Sequence, residues 1–361
     1  MAELEPVVKH LPTDFLVRES LVVRLGEPAT ASWRYLMLRK CGYTTMEASR
    51  LVAAALGLSS REVTYGGLKD EDAVTEQLIG IPANTDVPSL TEEGWTVAAE
   101  ADRWLTLHPY GHGPEPLGVG DLEGNAFRLI VRNLDAATAG QLTSRRKLTA
   151  LVLNYYDIQR FGVPGGPRRT HLVGAAMLDG RWDEALRELA GLGAPESPAA
   201  ERWEGPAAEF FTGLDPRTSA FYLAAHSSHL WNAELASAVE HVCGAATVPV
   251  RVEGVPFSYA PSPEDAARVL GQNVMLPYTK YEFTADGPVT HASRRATVVQ
   301  TSVLVSGPEP DEEFPGRLRA ELRFFLPSGS YATAAIRQIL GYLGVPPGER
   351  TRQAVAARPA S

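Results

Sequence analysis

The chain has 361 residues, 44% of them apolar and 21% charged, with a formal net charge of −9 at pH 7. That composition fits a globular protein with room for two domains. Its longest apolar run, "LVAAALGL" at 51–58, is far below the roughly 20 residues a membrane-crossing helix needs.

The opening "MAELEPVVKH" has no basic region followed by an apolar core, so no secretory leader is expected. Two cysteines, Cys41 and Cys243, lack a CxxC spacing. They argue against a disulfide scaffold or a cysteine zinc site and fit reduced thiols in the cytoplasm. The acidic balance argues against a protein that coats nucleic acid, yet local basic clusters occur at "SRRK" (144–147), "PRR" (167–169) and "SRR" (293–295).

In chain order, "TTME" forms a capping box with Thr44 at the N-cap and Glu47 three residues on; the helix then runs to Gly57. "REVTY" reads as a short strand, "GGLKDED" as a turn and "AVTEQLIGI" as a second strand. Asp70 therefore lies on a strand-to-strand connection, where a rigid scaffold can present it to a ligand. "NAFRLIVRNL" (125–134) alternates Phe127, Leu129 and Val131 against Arg128 and Arg132, a half-buried strand with one wet face. A helix is expected over about 136–153, before "NYYDIQRFG".

The middle of the chain is mainly helical, with "GRWDEALRELAG" (180–191), "TSAFYLAAHSSHLWNAELASAVEHV" (218–242) and "SPEDAARVLG" (262–271), the last opened by Ser262 and Pro263. "ELRFFLPSGSYATAAIRQILGYLG" (321–344) reads as strand, turn and helix, with Ser330 as N-cap and Gly344 as the stop. Residues 348–361 read as a disordered tail. His226 and His229 stand three apart on the long helix; His241, over four turns away, cannot complete a metal site with them, so no metal is expected.

Five stretches, taken in order, carry a resemblance that covers nearly the whole chain. They are "VKHLPTDFLVRE" (8–19), "GGLKDEDAVTEQ" (66–77), "LEGNAFRLIVRN" (122–133), "NYYDIQRFG" with "THLVG" (154–162 and 170–174), and "LRFFLPSGSYAT" (322–333). Together the chain resembles the TruD family of tRNA pseudouridine synthases.

The resemblance implies an α+β fold: a pseudouridine synthase catalytic domain, with a mixed, mainly antiparallel sheet and flanking helices, interrupted by an inserted TruD-specific α/β domain. The expected boundaries are 1–162 with 305–347 for the discontinuous catalytic domain and 163–304 for the insertion. The resemblance further implies a uridine in tRNA as substrate, most often position 13, with other RNA as a wider range. It implies no cofactor, no membrane, no obligatory protein partner, a monomer and a cytoplasmic location.

Pseudouridine formation breaks the N1–C1′ bond, turns the uracil and joins C5 to C1′. Positive character develops at C1′, which a carboxylate can trap, as in retaining glycosidases. Uracil departs as an anion, so one aspartate suffices. The resemblance makes Asp70 that nucleophile. Taken alone, the loop favours Asp70 as a turn carboxylate capping backbone N–H groups, and the five motifs together reverse that reading. The base must leave its stack to be reached, so aromatic surfaces are needed. By motif position, Phe15, Asn125, Phe127 and Tyr331 are the substrate-binding candidates; Lys9, Lys69 and Arg160 are candidate contacts to RNA or to the carboxylate. Two rival readings are a catalytically silent RNA-binding or RNA-folding protein of the same fold, and a hydrolase of a small nucleoside.

Overall fold

In the computed structural model the described residues are 6–69, 71, 73–88, 94–100, 102–118, 121–163, 165–284 and 287–345. The tail expected from 348 onward lies outside them, as do Asp70 and Asp72. The described residues divide into two compact units, 6–149 with 301–329, and 150–300 with 330–345.

The first unit is organised by a sheet of eleven strands. They are β1 (Val7–Val8), β2 (Phe15–Leu21), β3 (Trp33–Cys41), β4 (Thr64–Tyr65), β5 (Val74–Pro82), β6 (Trp95–Ala99), β7 (Trp104–Gly113), β8 (Leu122–Leu134), β9 (Lys147–Leu153), and, after the middle of the chain, β14 (Val298–Pro310) and β15 (Leu318–Pro327). The spatial order is β6-β7-β3-β5-β2-β8-β15-β14-β9, with β1 added to β8 and β4 to β5. β2 and β5 pair in parallel, while β3/β5, β3/β7, β6/β7, β2/β8, β8/β15 and β14/β15 are antiparallel.

Helix α1 (Thr45–Leu56) has the expected reciprocal cap: Glu47 N–H donates to Thr44 Oγ1 at 3.2 Å and Thr44 N–H donates to Glu47 Oε2 at 2.9 Å. Gly57 ends it with a positive φ of 67°, a conformation that carries no Cβ penalty for glycine. Ala48 and Val52 of α1 join Leu36, Leu38, Ile79, Ile81, Leu105 and Leu107 of the sheet in one buried cluster. On the wet face, Arg18 and Arg39 both reach Glu76, at 2.5 and 3.3 Å, and Arg128 reaches Glu321 at 2.6 Å.

Two local expectations change along this sheet. Residues 136–153 are not one helix: α2 (Ala136–Thr143) is followed by β9, in which Leu148, Ala150 and Val152 are buried in alternation. That period of two belongs to a strand with one covered face. Arg132 is not on a wet face either. It is 2% exposed and donates to Asp14, Asp311 and Glu312, because β1 and the turn after β14 close over that end of β8.

The second unit is built on α7 (Pro216–Cys243). Around it stand α3 (Thr170–Leu178), α4 (Trp182–Ala190), α5 (Ser197–Glu201), α6 (Ala207–Thr212) and α8 (Pro263–Gln272). Two hairpins, β10 (Val248–Val252) with β11 (Val255–Tyr259) and β12 (Met275–Thr284) with β13 (Gly287–Ala296), and α9 (Ala332–Tyr342) complete it. Ser262 caps α8 by accepting from Asp265 N–H at 3.1 Å. Ser330 does not cap α9; the N-cap is Tyr331, which makes no side-chain capping bond.

This unit begins at Ala150 and includes α9, for two physical reasons. Tyr155, Tyr156 and Phe161 are buried in one cluster with Trp231 and Leu235 of α7. α9 is tied to the same segment: Arg337 and Thr333 donate to Asp157, and Gln338 exchanges bonds with the Leu153 backbone at 2.8 and 3.0 Å.

Candidate active site

The connection from β4 to β5 is held from both sides of position 70. Before it, Lys69 N–H donates to Thr45 Oγ1 at 2.8 Å. The Thr45 hydroxyl donates to Gln77 Oε1 at 2.9 Å, and the Gln77 amide donates to the Gly67 carbonyl at 3.2 Å. After it, Gly42 N–H donates to the Glu71 carbonyl at 3.1 Å. Gly42 has φ of 73°, which a residue with a Cβ adopts only at a cost. Thr45 is 1% and Gln77 0% exposed, so the bonds through these two side chains are shielded from water. Asp70 itself lies outside the described residues.

The sheet register determines what shares a face with this loop. Glu19 is opposite Asn125, Val17 opposite Phe127 and Phe15 opposite Leu129, while Val17 is also beside Thr75 of β5. Alternate residues of a strand point to one side, so Phe15, Glu19, Thr75, Gln77, Asn125 and Phe127 lie on the same face. Lys69 comes down onto that face and its Nζ stands 2.7 Å from Glu19 Oε1, with side-chain exposures of 6% and 0%. Burial pushes the Glu19 carboxyl above its ordinary value, and Lys69 offsets part of the rise.

Phe127 stacks between Phe15 and Phe324, with ring centroids 5.8 and 5.2 Å apart and interplanar angles of 19° and 23°. Lys9 Nζ lies 3.9 Å from the centre of the Phe15 ring. Phe127 is 8% and Phe15 1% exposed, so in this state the rings are a packed wall. Beside them, Asn125 Oδ1 and Thr75 Oγ1 are buried without a hydrogen-bond partner among the described residues. A buried acceptor and hydroxyl left unmatched are costly and suit a ligand that supplies partners. An imide N–H such as that of uracil is one match for Asn125 Oδ1.

The remaining predicted residues belong to the second unit. Arg160 Nε donates to the Tyr331 hydroxyl at 3.1 Å. The Arg160 guanidinium also lies 5.7 Å from the centre of the Tyr156 ring, and Tyr331 meets Tyr156 edge-on at 5.7 Å. The sequence candidates thus form two groups: Lys9, Phe15, Lys69, Asn125 and Phe127 in one unit, Arg160 and Tyr331 in the other. Glu19, Thr45, Thr75 and Gln77 were missed as site residues. Glu19, Thr75 and Gln77 stand inside the two motifs quoted above, so a signal existed. Thr45 carries none beyond its place at a helix start.

The family model described as tRNA pseudouridine synthase D (TruD) matches residues 3–209, more than half of the chain. The chain belongs to the TruD family. Among relatives of this TruD-family chain, tRNA pseudouridine synthase D of Geobacter sulfurreducens is 27% identical over 406 aligned positions, covering 92% of this chain and 93% of the relative. The probable tRNA pseudouridine synthase D of Thermococcus gammatolerans is 26% identical over 412 positions, covering 92% and 94%. The crystal structure of a putative tRNA pseudouridine synthase D from Methanosarcina mazei superposes with a TM-score of 0.60 at 20% identity, covering 96% of this chain and 95% of that one. That likeness bears out the TruD fold, α+β with a mixed, mainly antiparallel sheet.

Proposed function

We propose that this chain converts a uridine of tRNA, at position 13, to pseudouridine, with Asp70 as nucleophile. The chain is an RNA pseudouridine synthase, an isomerase. In this reading the Asp70 carboxylate attacks C1′ and the N1–C1′ electron pair leaves on uracil. The freed base turns and C5 attacks C1′ as the Asp70–C1′ bond breaks and its electron pair returns to the carboxylate; the C5 proton is lost and N1 takes one up. Asn125 Oδ1 accepts the uracil N3–H while the base turns, and the wall of Phe15 and Phe127 keeps water from the anion. The catalytic domain is formed from the two ends of the chain around an inserted middle, and the enzyme acts as a monomer in the cytoplasm.

One observation supports this most strongly. The loop flanking position 70 is pinned on both sides, and Lys69 docks it on the sheet face that carries Asn125 and Phe127. The test is nucleoside analysis of an unmodified tRNA transcript after incubation with the wild-type chain and with Asp70→Asn. Pseudouridine at position 13 from the wild type alone, with RNA affinity retained by the variant, is expected. Turnover by Asp70→Asn refutes the nucleophile, and binding without turnover by the wild type supports the silent RNA binder instead. Mapping modified sites in total RNA from cells with and without the protein measures its range.

A further inference from the structure

Helix α7 exposes a phenylalanine beside an arginine. Phe221 is 42% exposed, and the Arg160 guanidinium lies 5.8 Å from its ring centre. Arg160 spends one N–H on the Tyr331 hydroxyl. Among the described residues no carboxylate stands within ion-pair distance of it. The pair continues a larger cluster in the same unit. Tyr156 stacks on Tyr278 at 5.8 Å, and the Arg295 guanidinium lies 4.1 Å from the Tyr156 ring centre and 5.1 Å from that of Trp231. Burial, and to a smaller extent Arg160, hold the Arg295 guanidinium below its ordinary value.

The other basic clusters are spent differently. Arg168 pairs with Glu253 at 2.6 Å and Arg169 with Glu188 at 3.7 Å, while Arg146 donates to the Gly307 carbonyl at 3.1 Å. Arg295 is committed too, donating to the Asn154 carbonyl at 3.0 Å and to Asn154 Oδ1 at 2.8 Å, so the ligand-facing guanidinium of this cluster is Arg160. A guanidinium offers a planar fork of N–H donors to phosphate and also stacks on flat rings. An exposed aromatic ring beside it is a platform for any base, since every base has a π-face.

We propose that Phe221 and Arg160 form a binding site for an unpaired nucleotide of the RNA substrate, its base stacked on Phe221 and its phosphate held by Arg160. This rests on the RNA-modifying function above and adds a contact carried by residue 221, beyond the residues that the family model matches. The site lies wholly within the second unit.

The test uses the full chain with Phe221→Ala and Phe221→Trp. Because the ring is exposed, truncation leaves the core intact, which circular dichroism checks. The probes are an unmodified tRNA transcript and a short oligouridylate, with binding read by fluorescence anisotropy. Losing the stacked base, Phe221→Ala should weaken binding of both RNAs about tenfold and raise KM by a similar factor while kcat moves by less than about twofold. Phe221→Trp should keep the affinity, and oligouridylate should quench its emission beyond the quench seen in the wild type. RNA affinity of Phe221→Ala within about twofold of the wild type, or no added quench, overturns the site and leaves the exposed ring to a protein partner. Binding is read without turnover, so loss of affinity in a chain that forms no pseudouridine would refute the activity and leave this site standing.

Discussion

Replacing Lys69 with methionine removes the charge that docks the 66–77 loop and keeps most of the apolar stem. It leaves the Glu19 carboxyl, whose side chain is 0% exposed, without the cation 2.7 Å away. The carboxyl then either stays ionised in a buried site or takes a proton. Protonation from an ordinary value of 4.5 at pH 7, at about 1.4 kcal/mol per pH unit, costs about 3.4 kcal/mol. That figure caps the loss, because the protonated state is always accessible. At pH 5 the cap falls to about 0.7 kcal/mol.

The sign follows from the direction of the shift. Burial already raises Glu19, against the attraction of Lys69. A carboxyl raised in the folded state contributes its full stability below 4.5 and loses it as pH rises through the folded value. Without Lys69 that folded value moves higher and the loss extends further. Lys69→Met should therefore be destabilised relative to the wild type by about 2–3 kcal/mol at pH 7 and by less than about 1 kcal/mol at pH 5. Urea unfolding followed by circular dichroism at both pH values measures this. Adding Glu19→Gln removes the buried charge and should bring stability at pH 7 back to within about 1 kcal/mol of the wild type. A penalty equal at the two pH values, or one that Glu19→Gln leaves in place, refutes the electrostatic account of the anchor.

Thr45→Val deletes the acceptor of Lys69 N–H and the donor to Gln77; kcat should fall about tenfold and stability by about 1–3 kcal/mol, and single-turnover rates matching the wild type would mean the loop is held elsewhere. Asn125 Oδ1 has no partner to lose among the described residues, so Asn125→Ala should cost less than about 1 kcal/mol of stability while kcat/KM falls at least tenfold, to about the level of one lost substrate hydrogen bond. Burial first, then the neighbouring His229 and His226, push His171 down to about 4, and its ring stacks on His229 with centroids 4.0 Å apart. A histidine so lowered from 6.5 contributes stability that is present above pH 6.5 and lost as pH falls through about 4, so the second unit should weaken by up to about 3 kcal/mol over that interval. Thermal melts at pH 4.5 and 7 check it, and His171→Asn should flatten the difference.

Local chemistry made much of the fold legible. The Thr44–Glu47 capping box, the stop at Gly57, the cap at Ser262 and the β8 strand all rest on groups within a few residues of one another, and all four appear in the structure. Expectation and structure differ where local signals compete. The sequence of β9 suits a continuing helix as well as a strand, because Leu148, Ala150, Leu151 and Val152 fit either period over so short a run. Arg132 was read as wet because alternation assigns a face to a side chain and says nothing of what covers that face.

By itself the sequence determined the class of chemistry. Its motifs place an aspartate in a glycine-flanked connection, with aromatic and amide side chains at stated positions elsewhere, and these choices are local and covalent. Only the tertiary structure decided which of those side chains meet. The parallel pairing of β2 with β5 and the antiparallel pairing of β2 with β8 bring Glu19, Asn125 and the loop that holds Lys69 to one sheet face, across more than a hundred residues of chain. Such pairings depend on register between distant strands, and a shift of one residue turns every side chain to the other face. No periodicity within a single strand carries that information.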